Sequence, residues 1–125
     1  MRLRTTIVLL VLFFAGLGVL WYADYSRGYL GRFDTKTGAT QEFPSPGGPK
    51  SMPYGIVSLN DVIWYSESNV TPNTLVRFDP KTEKFQTWAI PSGGGVVRNM
   101  MVTKDGNIAM ACSGRNRVAL VEIAK

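Results

Sequence analysis

One phrase occurs twice in this chain of 125 residues. GRFDTKTGATQEFP, residues 31–44, returns as VRFDPKTEKFQTWAIP, residues 76–91. The Arg-Phe-Asp triplets begin at residues 32 and 77, a spacing of 45. Self-similarity at a period of about 20–50 residues is typical of repeat architectures, in which each repeat is one supersecondary unit. The sequence therefore predicts a series of similar units.

The most complete unit spans residues 54–91 and contains four short segments with strand character. These are YGIVSL, VIWYSES, TLVRFD and KFQTWAI, rich in β-branched and aromatic residues and separated by Asn, Asp and Pro. Hairpin turns are predicted at residues 79–84 and, in the preceding unit, at residues 34–38. No segment after residue 24 shows an apolar period of about 3.6 residues, so no helix is expected there.

Incomplete copies of the unit flank it on both sides. Residues 19–45 supply the last three strands of one unit, and residues 99–123 supply the first three of another. The register is maintained, since Trp21 and Trp64 are 43 residues apart. Four antiparallel strands repeating at this period are typical of a β-propeller blade. The predicted fold class is all-β, a partial β-propeller of about two and a half four-stranded antiparallel blades, preceded by an N-terminal apolar helix.

The N-terminal residues differ in composition from the rest. Residues 1–18 are predicted to be a signal peptide or a membrane anchor, because Arg2 and Arg4 precede a run, residues 5–23, that carries no charge. This run is close to the roughly 20 residues that span a bilayer, so its length leaves both possibilities open, and a buried core helix is a third. We expect an exported protein that is periplasmic, secreted or anchored in the inner membrane. Its contact with the membrane is expected only through residues 5–23.

The charge and cysteine content exclude several classes of protein. The formal net charge is +5, and the 14 basic and 9 acidic residues are interspersed, so no basic cluster indicates nucleic-acid binding. Cys112 is the single cysteine, which excludes an internal disulfide. It lies in the apolar segment IAMACS and is expected to be a buried structural thiol. The chain has no histidine.

The number of predicted strands leaves the propeller incomplete. Propellers typically close with four to eight blades. An open stack of fewer blades leaves apolar blade faces and strand edges uncovered. We therefore expect self-association or further blades, and the alternative is a small all-β domain partly covered by the N-terminal segment.

Several of the repeated segments resemble a known family. WYADYSRGYLGRFDTKTG, SPGGPKSMPYGI, WYSES and NTLVRFDPKTEKFQTWAIPSGGG are similar to blade motifs of the streptogramin B lyase (virginiamycin B lyase-like) family. The resemblance covers roughly residues 19–123, and it implies the last two to three blades of a seven-bladed propeller. It also implies an enzyme that opens cyclic depsipeptide antibiotics by elimination, with a histidine base and a divalent metal such as Mg²⁺.

The positions that the resemblance points to do not carry those groups in this chain. The turns MPYGI and VRNMM place Tyr54 and Asn99 where the family's histidine is expected. No acidic residue occurs between Ile108 and Val121, where the family is expected to provide one. We therefore assign no catalytic residue and no metal ligand, and we expect Mg²⁺ only if lyase activity is retained.

Four residues remain as candidate ligand-binding residues: Tyr54, Glu67, Arg98 and Asn99. Glu67 and Asp24 end equivalent strands of adjacent units, where side chains can face the central channel and touch a cation or ligand. Solvated or turn-capping carboxylates are the alternative. Arg98 and Asn99 follow a glycine-rich segment and could bind an anionic or amide-bearing ligand, or be ordinary loop residues.

Three classes of function remain open. The first is a noncatalytic module that binds a small molecule or peptide, or another protein, through lyase-like blades. The second is a virginiamycin B lyase-like enzyme that uses metal-assisted elimination. The third is a metal-dependent sugar-lactone hydrolase on a related propeller, which would need a ring of oxygen ligands. The missing histidine favours the first.

Overall fold

The computed structural model describes residues 18–125, which form ten strands and no helix. The apolar helix predicted at the N-terminus lies outside these residues. Within residues 18–125 no helix is long and apolar enough to cross a membrane. The strands, in chain order, are β1 (Val19–Asp24), β2 (Tyr29–Asp34), β3 (Thr40–Pro44), β4 (Pro53–Leu59), β5 (Val62–Glu67), β6 (Thr74–Asp79), β7 (Lys84–Ala89), β8 (Val96–Val102), β9 (Ile108–Ser113) and β10 (Arg117–Val121).

The ten strands form three antiparallel sheets. The first sheet has the order β1-β2-β3, the second β4-β5-β6-β7 and the third β8-β9-β10. Each sheet is a meander in which strands consecutive in sequence are neighbours, which is the arrangement of a propeller blade. The predicted all-β fold of a partial propeller is confirmed, with one four-stranded sheet between two three-stranded ones.

The repeated phrase forms the β2–β3 and β6–β7 hairpins, and both turns lie where the sequence predicts them. Asp34 ends β2 and accepts a hydrogen bond from the backbone N–H of Lys36 at 2.8 Å. Asp79 ends β6 and accepts the equivalent bond from Lys81 at 2.9 Å. An aspartate that bonds the backbone two residues ahead fixes a tight turn. The phrase recurs because each hairpin needs this aspartate at the same place.

Two apolar clusters join the sheets face to face. The first interface lies between the first and second sheets, and its buried residues are Leu30, Ile63, Tyr65, Val76 and Phe78. The second interface lies between the second and third sheets, and its buried residues are Trp64, Leu75, Ile90, Val97, Ile108, Met110 and Cys112. The thiol of Cys112 is free and buried, as predicted. Because β5 and β6 contribute to both clusters, the second sheet is covered on both faces.

The first strand of the second sheet and the first strand of the third sheet each contain a β-bulge. In β4 the ladder gains one residue between Pro53 and Ile56. In β8 it gains one residue between Val97 and Met100. Bulges bend a strand and redirect its side chains, and they are common beside binding sites.

Arg98, and not Asn99, is the counterpart of Tyr54. Pro53 and Val97 hold the same ladder position in their sheets, so Tyr54 and Arg98 are the residues that follow in each bulge. The predicted equivalence of Tyr54 and Asn99 is therefore wrong by one residue. The turn after β8 is one residue longer than the turn after β4. The spacing of 45 residues that relates β5 to β9 therefore becomes 44 residues between β4 and β8. The third unit was predicted to span residues 99–123, and β8, its first strand, begins at Val96.

Candidate functional site

An open cleft of about 550 Å³ lies where the three sheets meet. Its lining residues are Ala23, Tyr25, Pro53, Tyr54 and Arg98. Ala23 lies at the end of β1 and Tyr25 in the turn after it, while the other three lie at the starts of β4 and β8. Two of the four predicted ligand-binding residues, Tyr54 and Arg98, thus line one cleft.

The two tyrosines of the cleft form an aromatic corner. The rings of Tyr25 and Tyr54 meet edge to face, with centroids 5.3 Å apart and an interplanar angle of 87°. This is one of the favoured arrangements of an aromatic pair. Both side chains remain exposed, Tyr54 to 39%. The pair can therefore offer a flat apolar surface and two hydroxyl groups to a ligand.

Arg98 brings a positive charge to the cleft. Among the residues that the structure describes, its guanidinium has no hydrogen bond and no ion pair, and the side chain is exposed. A guanidinium presents five N–H donors in a planar fork and binds carboxylates through two of them at once. No carboxylate lines the cleft, so these donors face solvent. Asn99, the next residue, is exposed but does not line the cleft.

A buried serine holds the two bulges together. The Ser66 hydroxyl accepts a hydrogen bond from the Gly55 N–H at 3.1 Å and donates one to the Val97 carbonyl at 2.9 Å. A Cβ atom on Gly55 would lie 2.8 Å from that carbonyl oxygen, so only glycine permits this approach of β4 to β8. Ser66 was not predicted as a site residue. Its only signal in the sequence is a hydroxyl at a strand position that is alanine in both flanking sheets, at Ala23 and Ala111.

Glu67 lies inside the molecule and does not line the cleft. Its side chain is 2% exposed. One carboxylate oxygen accepts hydrogen bonds from the Ser45 hydroxyl at 2.5 Å and the Gly47 N–H at 2.7 Å. The other accepts a bond from the Thr74 hydroxyl at 2.6 Å. Glu67 therefore anchors the connection between β3 and β4 to the end of the second sheet.

The phenol of Tyr65 extends this buried network. Its hydroxyl lies 2.8 Å from the Ser45 hydroxyl oxygen. Burial raises the pKa of Tyr65, and the nearby Glu67 carboxylate acts in the same direction. A phenol with a raised pKa stays neutral and can donate to Ser45 while Ser45 donates to Glu67.

Asp24, the counterpart of Glu67 in the first sheet, caps a turn. Its carboxylate accepts hydrogen bonds from the Arg27 side chain at 2.7 Å and from the Ser26 hydroxyl at 3.1 Å. Burial acts to raise the pKa of Asp24, but the hydrogen bonds from Arg27 and Ser26 outweigh it and hold that pKa below its usual range. Arg27 also pairs with Glu42 on the neighbouring hairpin. Within residues 18–125 no three His, Cys, Asp or Glu side chains come together as a metal site.

A second concavity is apolar. A groove of about 620 Å³ lies between the second and third sheets, beside the stacked rings of Trp64 and Trp88. Its polar side chains include Arg77 and Gln86, which bond each other at 3.1 Å. Glu122 also lines the groove, but among the described residues no basic side chain free of a partner does, so the groove has no counterpart of Arg98.

Comparisons with known proteins bear on the fold. No protein-family model matches the chain, and no curated protein sequence matches it. A streptogramin B lyase structure aligns with a TM-score of 0.67 and 18% identity, covering 83% of this chain and 37% of that one. The virginiamycin B lyase of Staphylococcus aureus aligns at 0.66 and 22%, covering 85% of this chain and 38% of the enzyme.

The described blades share the fold of streptogramin B lyases. The resemblance predicted from the sequence is thus confirmed at the level of fold, over somewhat more than a third of the length of the lyases. The computationally designed Ika4 protein also aligns, with a TM-score of 0.63 and 15% identity, and the alignment covers 61% of that chain. The described blades thus also resemble a designed protein, which indicates that the similarity to these structures is one of fold.

Proposed function

We propose that this chain is a noncatalytic ligand-binding module, built from exported lyase-like blades, that takes a small molecule or peptide in the Tyr25–Tyr54–Arg98 cleft. The ligand class is an aromatic group next to a carbonyl or carboxylate oxygen. The observation that carries the proposal is the free guanidinium of Arg98 in the cleft that the aromatic corner of Tyr25 and Tyr54 also lines. The corner supplies stacking area, and the guanidinium supplies charge-assisted hydrogen bonds.

The chemistry of the cleft favours binding without catalysis. A general base for elimination must reach the proton it removes, and histidine or a carboxylate usually serves. The chain has no histidine, and no carboxylate lines the cleft. Both oxygens of Glu67 are engaged by hydrogen-bond donors of the protein. A carboxylate held in this way has a structural role and is a poor candidate for a base.

The proposal is tested by titrating the full chain with two probes while its backbone amide NMR signals are recorded. The probes are N-acetyl-phenylalanine, which has a ring, an amide and a carboxylate, and quinupristin, which a catalytically inactive variant of the S. aureus virginiamycin B lyase binds in its crystal structure. We expect shifts at Tyr25, Tyr54 and Arg98. Arg98→Gln should weaken binding of N-acetyl-phenylalanine roughly tenfold, because hydrogen bonds to charged groups contribute about 1.5–3 kcal/mol.

The matched control is Arg117→Gln, which removes another exposed arginine, two strands away in the third sheet and outside the lining of the cleft, and should leave the affinity unchanged. If neither probe shifts the signals of the cleft at millimolar concentration, or if Arg98→Gln and Arg117→Gln bind alike, the chain is not a binding module of this class.

The enzymatic alternative is tested on the same sample. The full chain is incubated with Mg²⁺ and quinupristin, and the antibiotic is followed by liquid chromatography and mass spectrometry. An elimination opens the ring without changing the mass, so the product is recognised by its retention and fragmentation. We expect none above a protein-free control. Product that disappears in the Tyr54→Phe variant would favour the lyase and refute the noncatalytic proposal.

A further inference from the structure

The two outer sheets each leave one apolar face uncovered. On the first sheet this is the leading face, formed by Leu20 and Tyr22 of β1 and Phe33 of β2, with Leu20 60% exposed. On the third sheet it is the trailing face, formed by Met101, Ala109, Ala111, Val118 and Leu120. Val118 is 79% exposed and Leu120 59%. Apolar patches of this kind on a soluble chain mark interaction sites.

The two faces correspond to surfaces that already pack together inside the molecule. At the first interface Leu30 and Ile63 belong to one buried cluster. At the second interface Leu75 and Ile108 belong to the other. The pairing registers place Leu30 and Leu75 at the same position of their sheets, and likewise Ile63 and Ile108. The two interfaces thus bury the same two positions, one blade apart.

Two of the three residues in each series of equivalent positions are buried at the internal interfaces. The third residue of each series, Val118 or Leu20, lies on an uncovered face. The series are Leu30, Leu75 and Val118, and Leu20, Ile63 and Ile108. Among residues 18–125 no sheet follows the one that carries Val118, and none precedes the one that carries Leu20. A second copy supplies both, because its leading face carries Leu20 in the place that Ile63 and Ile108 take at the internal interfaces.

We infer that two copies of this chain associate head to tail, the trailing face of each on the leading face of the other, and close a six-bladed ring. Residues 18–125 of one copy form three sheets, so the same residues of two copies give six, within the four to eight blades with which propellers close, whereas three copies give nine. Head-to-tail contacts form a closed ring when the rotation closes. By the same alternation Asp24 and Glu42 also lie on the leading face, where Arg27 pairs with both, and the five residues of the trailing face carry no charge, so no like charges oppose each other. This inference does not depend on the proposed function of the cleft.

The mass of the full chain in solution tests the association. Sedimentation equilibrium at about 100 μM should give twice the 13.8 kDa of one chain. Val118→Lys and Leu20→Glu should each weaken the dimer at least a hundredfold, because each places a charge in an apolar contact. The double variant should recover part of the affinity, since its new lysine faces its new glutamate across the contact. Thr87→Lys, an exposed strand residue outside both faces, is the matched control and should remain dimeric.

The orientation is tested with cysteines at the same two positions. Under mild oxidation the Leu20→Cys/Val118→Cys double variant should form a covalent dimer, whereas neither single variant should, because a head-to-tail contact brings together two different faces. Cys112 is buried and should not participate. A cross-linked dimer of either single variant would indicate pairing of identical faces and refute the inference.

Three other outcomes also contradict it. A chain that remains monomeric at this concentration, or that forms trimers or open-ended polymers, does not close the proposed ring. A monomer whose introduced cysteines resist maleimide has these faces covered by its own residues 1–17. A chain that is monomeric alone and forms a complex only with another protein has a different partner on these faces.

Discussion

At the scale of single residues, Glu67 ties two other stretches of chain to the end of β5 through one carboxylate. The connection after β3 donates through Ser45 and Gly47, and β6 donates through Thr74. Charge-assisted hydrogen bonds of this kind are roughly twice as strong as neutral ones. A ligand role for Glu67 remains a prediction, but any ligand would have to compete with these donors.

Glu67→Gln should lower the stability of the chain by about 1–3 kcal/mol, because the amide loses the charge and leaves one buried donor without an acceptor. The measurement is urea unfolding followed by tryptophan fluorescence at one fixed protein concentration. Glu122→Gln, an exposed carboxylate near the end of the chain, is the control and should leave the midpoint unchanged. Equal midpoints for the two variants would show that the buried network contributes little.

At the scale of elements, the hairpins are set by local chemistry that the sequence displays. Asp34 accepts hydrogen bonds from the N–H groups of Lys36 and Thr37, and the first of these bonds is the largest cause that holds the pKa of Asp34 below its usual range. A group whose pKa is lower in the folded state stabilises that state above its unfolded pKa and loses the effect as the pH falls. The turn should therefore loosen in acid.

Asp34→Asn should speed hydrogen exchange of the Thr37 amide at neutral pH and remove the acid-dependent part of its protection. In the unchanged chain, that protection should decline as the pH falls below about 4, through the lowered pKa of Asp34. Exchange is measured by NMR between pH 3 and 6, with rates corrected for the intrinsic pH dependence. Asp61→Asn, in the β4–β5 turn, is the control, because asparagine also tolerates its positive φ of 61°. If the two variants leave the Thr37 amide equally protected, the aspartate does not hold the turn.

The sequence predicted the elements better than it predicted the site. Strands are encoded locally by the alternation of polar and apolar residues, and the hairpin turns by Asp34 and Asp79. Their positions could therefore be predicted from each short segment of sequence on its own. The cleft combines residues of three sheets, and the longer turn after β8 shifts the register of that strand by one residue, which is why Asn99 was matched incorrectly with Tyr54 in place of Arg98. The burial of Glu67 depends on a connection about twenty residues away in sequence, and no local pattern reports it.

At the scale of the whole molecule, the second sheet is enclosed and the outer two are half open. The Phe78 ring is fully buried at the first interface, 4.6 Å from Phe43 and 4.7 Å from Phe85 between ring centroids. Phe33 occupies the equivalent position in the first sheet, on the leading face, and is only half-buried. The same residue type thus has two environments because of its place in the stack.

Phe78→Ala should destabilise a single chain by about 3–5 kcal/mol, the usual cost of emptying a buried phenylalanine site. Phe33→Ala should cost less than half as much. Both changes are made in the Val118→Lys background, where the proposed dimer is absent, and are compared by urea unfolding. Similar losses at the two positions would mean that the leading face is already covered in one chain.

The two matching interfaces, one burying Leu30 and Ile63 and the other Leu75 and Ile108, have an evolutionary consequence. A unit that is duplicated copies two surfaces at once, the one that docks and the one that receives, so every new neighbour fits without further selection. The unit at the end of any such stack then carries a surface that fits a further unit. A descendant that has to remain monomeric must therefore acquire polar residues on its end faces, whereas self-association requires no new surface.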